Sequence, residues 1–207
     1  RALVRLARQL GQPPPSKAKA PAPARIDLCL PKAEGQSVEF AVKAHLNAPD
    51  GPVHYVENSL ICSLFGLLCW EAIFAPLPGA FFHPFHSGPV DLFSADFHPR
   101  RAEQFATCLA QLDSPAYKQV IRQNYQAKFG IQSPFVFWSA LDQELLETAL
   151  DCLPAPHLQA WFRRLLLDIK ANRAGMPDLI QFWPAERRYR MIEVKGPGDR
   201  LQDNQRR

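Results

Sequence analysis

Asp178, Glu193 and Lys195 are the residues of this 207-residue chain whose types and spacing suit chemistry on a phosphate ester. They belong to a run that opens Gly175-Met-Pro-Asp and, after fourteen intervening residues, continues Glu193-Val-Lys-Gly-Pro. Hard divalent cations such as Mg²⁺ and Mn²⁺ take oxygen ligands, usually one or two carboxylates completed by waters and substrate oxygens, and Asp178 and Glu193 can supply the carboxylates. Lys195 would then orient or deprotonate an attacking water, or neutralise charge building on the phosphate. An E-x-K triplet alone arises constantly by chance, and an exposed hairpin with a solvated Glu and Lys would contain it too. What separates the two readings is the whole string, G-x-P-D and then E-V-K-G-P-x-D-x-L-x-x-x-Q, ending at Gln205.

Such residues need a rigid frame. Two apolar β-type segments, 179–183 and 189–195, flank a short charged turn, which predicts a hairpin with Asp178 at its mouth. Alternation puts Glu193 and Lys195 on one side of the second strand and Ile192 and Val194 on the other, toward a core. Gly196 and Pro197 would end that strand so that 199–205 can begin a helix. Upstream, 54–74 is apolar almost all round at helical length, which predicts a buried helix interrupted only by Glu57, Asn58, Ser59 and Glu71. The segments 103–112, 116–129 and 141–153 have helical spacing, and 157–171 is amphipathic, with Trp161, Leu165 and Ile169 opposite Arg163, Arg164 and Lys170. Earlier still, 26–30 and 38–46 alternate enough to predict two short strands, or one strand and a turn, before the turn Asn47-Ala-Pro-Asp-Gly. Between these elements, 75–101 is a long connection full of Pro, Phe and His, of a size that is usually functional or covered by a partner.

Charge is distributed unevenly. The chain carries +4 overall, but from Trp161 onward eleven Lys or Arg face six Asp or Glu, so the excess lies on the segment with the candidate site. Binding a phosphate backbone requires such a footprint, although a solvated basic surface would show the same excess. Five cysteines, odd in number and without C-x-x-C spacing, fit a reduced, intracellular protein. No secretory signal is visible, and the longest apolar run, 60–70, is too short to span a bilayer. His83, His86 and His98 match no structural zinc spacing, and neither a nucleophile elbow nor a Walker glycine loop occurs. Twenty prolines imply many irregular connections. Residues 1–25 read as the end of an upstream helical domain followed by a Pro/Ala/Lys linker, and the domain boundary falls there. Starting without Met and stopping inside a motif, the chain reads as a fragment.

Together these residues resemble the catalytic core of the VRR-NUC branch of the PD-(D/E)xK nucleases, most closely the Fanconi-associated nucleases of interstrand crosslink repair. The likeness extends upstream: Glu57-Asn-Ser-Leu-Ile-Cys-Ser-Leu-Phe-Gly-Leu-Leu-Cys-Trp resembles that family's acidic helix, Pro89-Val-Asp-Leu with Phe97 its following loop, and 138–168 its helical lead-in. It therefore covers the chain from about Tyr55 to the end. The resemblance implies an α/β fold of the restriction-endonuclease type, a mixed sheet flanked by helices, with a mainly helical insertion between Glu57 and Gly175. Residues 26–207 would be a VRR-NUC nuclease domain with an incomplete C-terminus. The implied activity is cleavage of DNA as a 5′ flap endonuclease and 5′ to 3′ exonuclease, serving crosslink repair and dependent on one or two Mg²⁺ or Mn²⁺ ions. Lys195, Glu193, Asp178 and Gln205 would be catalytic, and Glu57, Asp178, Glu193 and Val194 would hold metal.

Some residues carry two readings. Glu57 heads an apolar helix, where interaction with the helix dipole is the plain account, yet a lone carboxylate is costly to bury unpaired. Arg173, where a helix hands over to the catalytic strand, suits either a phosphate contact or a cation on a helix C-terminus. Arg100 and Arg101, after the Phe-rich loop, suggest DNA contact. Two rival classes stay open. A restriction-type or junction-resolving nuclease would share the metal residues but lack the Glu57 helix, and a non-catalytic DNA-binding scaffold is opposed by the intact Asp178, Glu193 and Lys195. The compartment would be cytoplasm or nucleoid in a bacterium and the nucleus in a eukaryote.

Overall fold

The apolar run of the sixties folds as a central helix in which every residue from Leu60 to Leu68 is buried. The computed structural model describes residues 9–11, 24–31 and 34–199. Among them the order is α1 (Val38–Leu46), β1 (Val53–Tyr55), α2 (Ser59–Leu68), α3 (Trp70–Ile73), α4 (Ala102–Ala110), α5 (Ala116–Ala127), α6 (Gln143–Cys152), α7 (Ala155–Leu167), α8 (Ile169–Asn172), β2 (Leu179–Trp183) and β3 (Arg188–Ile192). The helix read over 1–10, the linker over 12–25 and the helix carrying Gln205 lie wholly or mostly outside the described residues.

α2 is apolar all round because helices enclose it. Phe65 alone meets Phe105 at 6.0 Å, Phe135 at 4.9 Å and Phe162 at 5.5 Å between ring centroids. Burying one such side chain contributes about 1.5–3 kcal/mol, so the row from Leu60 to Leu68 fixes α2 and hence whatever its N-terminus carries. Gly66 lets the segment 135–136 lie directly on the helix, since a Cβ there would stand 2.8 Å from Phe135 Cβ. The polar atoms on this surface are satisfied: Ser63 Oγ accepts from the Phe137 N–H at 3.0 Å, and Asn124 Nδ2 donates to the Leu67 carbonyl at 2.7 Å.

The three strands form an antiparallel sheet in the order β1-β2-β3. Val53 opposes Gln181 and Tyr55 opposes Leu179, while Leu179 opposes Ile192 and Trp183 opposes Arg188. On one face Ile180 and Phe182 enter the main core. On the other, Leu179, Val53 and Val194 form a second, smaller cluster closed by Val38, Val42, Leu46 and Ile192. The class is α/β, a sheet flanked by helices with everything between Glu57 and Gly175 helical or irregular.

Several local readings change. Residues 26–30 form no strand and are exposed or nearly so, because nothing pairs with them among the described residues. The expected strand at 38–46 is α1 instead: Ser37 caps it by accepting from the Phe40 N–H at 3.4 Å, and Val38, Val42 and Leu46, four apart, meet the sheet. The helix expected from His54 starts only at Ser59, since His54 and Tyr55 pair with β2 as part of β1. The amphipathic run through 171 breaks at Asp168, extended at φ −163°, whose side chain accepts from the Ala171 N–H and starts α8. The hairpin is present, but its second strand ends at Ile192, three residues short of Lys195.

Candidate active site

Three segments meet at the open end of the hairpin: the turn into β2, the β1-to-α2 corner and the residues that follow β3. Gly175, with φ +92°, takes a conformation that side-chain-bearing residues adopt only at a cost, and it turns the chain so that Met176 is buried and Asp178 precedes β2. The Asp178 carbonyl accepts from the Val56 N–H at 2.9 Å and the Glu57 N–H at 3.0 Å, which fastens the β1-to-α2 corner to it. Its side chain reaches across the hairpin, where Oδ2 accepts from the Val194 N–H at 2.9 Å. Lys195 Nζ in turn donates to Glu193 Oε1 at 2.5 Å, in a pair whose Glu193 side chain is only 14% exposed.

The electrostatics follow from this crowding. Burial raises the Asp178 carboxyl above its ordinary range, opposed by the Val194 hydrogen bond and the Lys195 charge and reinforced by Glu39 and Glu57. Burial likewise raises Glu193, with Lys195 pulling it down and the charges of Asp178 and Glu57 pushing it further up. For Lys195 burial works against the ammonium, yet the hydrogen bond it donates to Glu193 and the charges of Glu193, Asp178 and Asp199 outweigh it and leave its pKa raised. Two carboxylates whose ionisation burial disfavours, with the Asp178 charge acting further on Glu193, form at the mouth of the hairpin a donor set that a hard cation relieves. Among the described residues no three His, Cys, Asp or Glu side chains gather closely enough to hold an ion between them. Two carboxylates with substrate and water oxygens are nevertheless what Mg²⁺-class ions usually take.

Glu57 lies at the corner itself, with φ +32°. Its backbone is bonded to Asp178 and its charge acts on both Asp178 and Glu193. Its carboxylate oxygens, however, accept from the Tyr55 hydroxyl at 2.6 Å and from Asn58 Nδ2 at 3.4 Å. The plain dipole account weakens, because Glu57 precedes α2 and does not lie inside its first turn. Asn58 is two-handed, for its Oδ1 accepts from the Met176 N–H at 3.1 Å. The hydrogen bond to Glu57 raises the Tyr55 hydroxyl to about 12, with burial adding to it, so it remains a donor.

Tyr55, Asn58 and Glu39 are not legible as site residues in the sequence, because 54–58 reads there as the start of a helix and 38–46 as a strand. The available signal was Tyr55 in alternation with Val53, followed by a polar Glu-Asn-Ser corner.

The remaining candidates separate. Arg173 follows α8, with its guanidinium 5.6 Å from the Phe93 ring and 3.4 Å from the Pro134 carbonyl, and its own carbonyl accepts from Cys62 Sγ. Burial pushes that thiol up to about 11, which makes it inert packing. Arg101 is withdrawn as a DNA contact. It is fully buried, bidentate to Asp91 at 2.9 and 3.0 Å, and stacked 4.5 Å over Phe97. Arg100 spends its guanidinium on Asp91 at 2.6 Å and the Pro78 carbonyl at 2.5 Å, closing the long connection. Gln205 lies outside the described residues.

A family model described as VRR-NUC domain matches residues 113–207. A Fanconi-associated nuclease 1 homolog of Pseudomonas aeruginosa is 65% identical over 208 residues, 100% of this chain and 37% of that protein. Human Fanconi-associated nuclease 1 is 29% identical over 176 residues, 82% of this chain and 17% of that protein. The crystal structure of paFAN1 bound to 2nt 5′flap DNA with gap superposes with a TM-score of 0.88 at 65% identity, over 99% of this chain and 38% of that one. The chain thus spans well under half the length of the relatives it matches.

Proposed function

Because the chain belongs to the VRR-NUC family of PD-(D/E)xK nucleases, in its Fanconi-associated branch, we propose that it is the catalytic part of a structure-selective DNA nuclease. Its substrate is a 5′ flap or related branched DNA, cut endonucleolytically and trimmed 5′ to 3′, in the repair of interstrand crosslinks inside the cell. Residues 26–207 are assigned to the nuclease domain. Among the described residues no helix is long and apolar enough to cross a membrane.

One observation carries the reading: the Asp178 carboxylate is joined across the hairpin to the Glu193-Val194-Lys195 segment through the Val194 N–H. That bond brings residues distant in sequence into one oxygen-rich corner. The family is divalent-metal dependent, and we assign Mg²⁺ or Mn²⁺ as the ion, held by Asp178, Glu193 and the Val194 carbonyl, with Glu57 as a further carboxylate. When bound, such an ion polarises the phosphate and lowers the pKa of its water.

The chain's own residues do the rest. Asp178 and Glu193 bind and orient, and their fixed positions on a hairpin leave little reorganisation during reaction. Lys195, an ammonium donating to Glu193, supplies positive charge where a phosphorane-like charge develops. Arg173, beside the turn into β2, neutralises a neighbouring phosphate. The test is to incubate the full-length protein with labelled 5′ flap DNA and with a four-way junction, in Mn²⁺ and in EDTA. Cleavage of the flap, lost with chelator, is expected. Cleavage that survives EDTA overturns the metal assignment, and preference for the junction overturns the substrate.

A further inference from the structure

Glu57 is one of two non-glycine residues with positive φ among the described residues, the other being Arg187 in the hairpin turn. A residue held in that region persists only where its surroundings over-determine it, and such residues cluster at functional sites. Here the surroundings are explicit. The N–H groups of Val56 and Glu57 both point at the Asp178 carbonyl, so the backbone of Glu57 is set by the residue that starts β2. From there the side chain meets two donors on its own corner, the Tyr55 hydroxyl at 2.6 Å and Asn58 Nδ2 at 3.4 Å.

The Tyr55 bond is the stronger of the two. A hydroxyl on an ionised carboxylate is short and about twice the strength of a neutral pair. Its ring is in turn fixed: β1 pairs Tyr55 with Leu179, the residue next to Asp178, and Phe40 of α1 stacks on the ring at 5.4 Å with planes 23° apart. One end of the tyrosine is therefore held by the sheet and α1, and the other end holds Glu57. Carboxylates that bind metal are themselves commonly oriented by a hydrogen bond from behind, and losing that partner typically lowers metal affinity or activity 10- to 100-fold.

We propose that Tyr55 is a positioning residue of this site: its hydroxyl fixes Glu57 Oε2 and so decides how the carboxylate is presented toward a divalent cation beside Asp178 and Glu193. The inference rests on the assignment of Glu57 to the metal site made above. Through Phe40 it also gives α1 a part in the site, since the stack sets the plane in which the hydroxyl lies.

The test uses Tyr55→Phe in the full-length protein, a change that keeps the ring and its stack on Phe40 and removes only the donor. Mn²⁺ binding is followed by calorimetric titration without DNA, and flap cleavage is measured by steady-state kinetics. Expected is a fall of about 10- to 100-fold in Mn²⁺ affinity or in kcat, with KM for the flap and the Tm in EDTA close to wild type. Tyr55→Phe combined with Glu57→Gln should lose no more than Glu57→Gln alone, since both changes act through one carboxylate. Wild-type Mn²⁺ affinity and kcat in Tyr55→Phe overturn the proposal while Glu57→Gln is still impaired. A raised KM at unchanged kcat and Mn²⁺ affinity overturns it in favour of a direct DNA contact. A lower Tm in EDTA with no change in metal binding reduces Tyr55 to packing. If Glu57→Gln itself binds Mn²⁺ and cleaves normally, it is the placement of Glu57 that fails.

Discussion

Asp178 has a structural and a chemical duty at once, so the substitution that tests it has to keep the first while removing the second. Its side chain accepts the Val194 N–H, a bond worth about 0.5–1.5 kcal/mol, which an asparagine oxygen can still accept. Asp178→Asn is therefore expected to fold and to bind flap DNA, measured by fluorescence anisotropy, while cleavage is lost. Full activity in that variant would remove Asp178 from the metal set. Lys195 makes the complementary case. Lys195→Ala leaves both carboxylates in place, so kcat should drop by orders of magnitude with Mn²⁺ affinity much less affected. A collapse of metal binding would instead make Lys195 the structural partner of Glu193, with which it is paired at 2.5 Å. The same carboxylates give a readout without any DNA. An ion that binds only the folded protein at a hundred times its Kd adds about 2.7 kcal/mol. For a protein of this size each kcal/mol moves Tm by about 2–4 °C. Mn²⁺ should raise the Tm of the wild type and not that of Asp178→Asn, as differential scanning fluorimetry would show.

The elements matter to the site through how firmly they are seated. α2 delivers the Glu57 corner, and its position depends on close contact with the segment 135–136 at Gly66. A Cβ at Gly66 would lie 2.8 Å from Phe135 Cβ and 2.9 Å from Val136 Cγ2, against neighbours too buried to yield cheaply. Gly66→Ala should cost about 1–3 kcal/mol, seen as a lower denaturation midpoint, with DNA cleavage retained below the transition. No loss of stability there would mean that the 135–136 segment moves freely. α1 has a strand-like sequence. Its apolar residues at 38, 42 and 46 follow the helical period, but β-branched Val38 and Val42 and the polar neighbours between them imitate a strand over so short a window. The β1 strand was hidden for the opposite reason. Three residues carry too little alternation to register beside a long apolar helix, and only pairing with β2 reveals them.

Across the whole molecule, the long connection from α3 to α4 is held by charges that looked available for DNA. Burial alone would raise the Asp91 carboxyl, but the hydrogen bond and charge of Arg101 and the charge of Arg100 outweigh it and leave the pKa below its ordinary 3.8. A carboxyl depressed by folding adds stability above its unfolded pKa and loses it as pH falls through the folded value. Asp91→Asn, which strands a fully buried Arg101, should cost about 3–5 kcal/mol at neutral pH. The gap to wild type should close as pH falls from 3.8 through the still lower folded value, because only beneath it is Asp91 protonated in both states and as neutral as asparagine, and Tm measured as a function of pH tests this. A gap independent of pH would mean that shape rather than charge holds the loop. Legible in the residues alone are the hairpin, the buried helix at its back, the residues at the mouth and the family they resemble. Each of these is written in neighbours a few positions apart or in a motif of fixed spacing. Packing in three dimensions made Arg101 core and 38–46 a helix, and put Tyr55 and Asn58 behind Glu57. It alone brought Glu57 to the Asp178 carbonyl, more than a hundred residues away in the chain. Burial and hydrogen bonding between distant segments depend on how helices pack, and local periodicity carries no record of which face meets which.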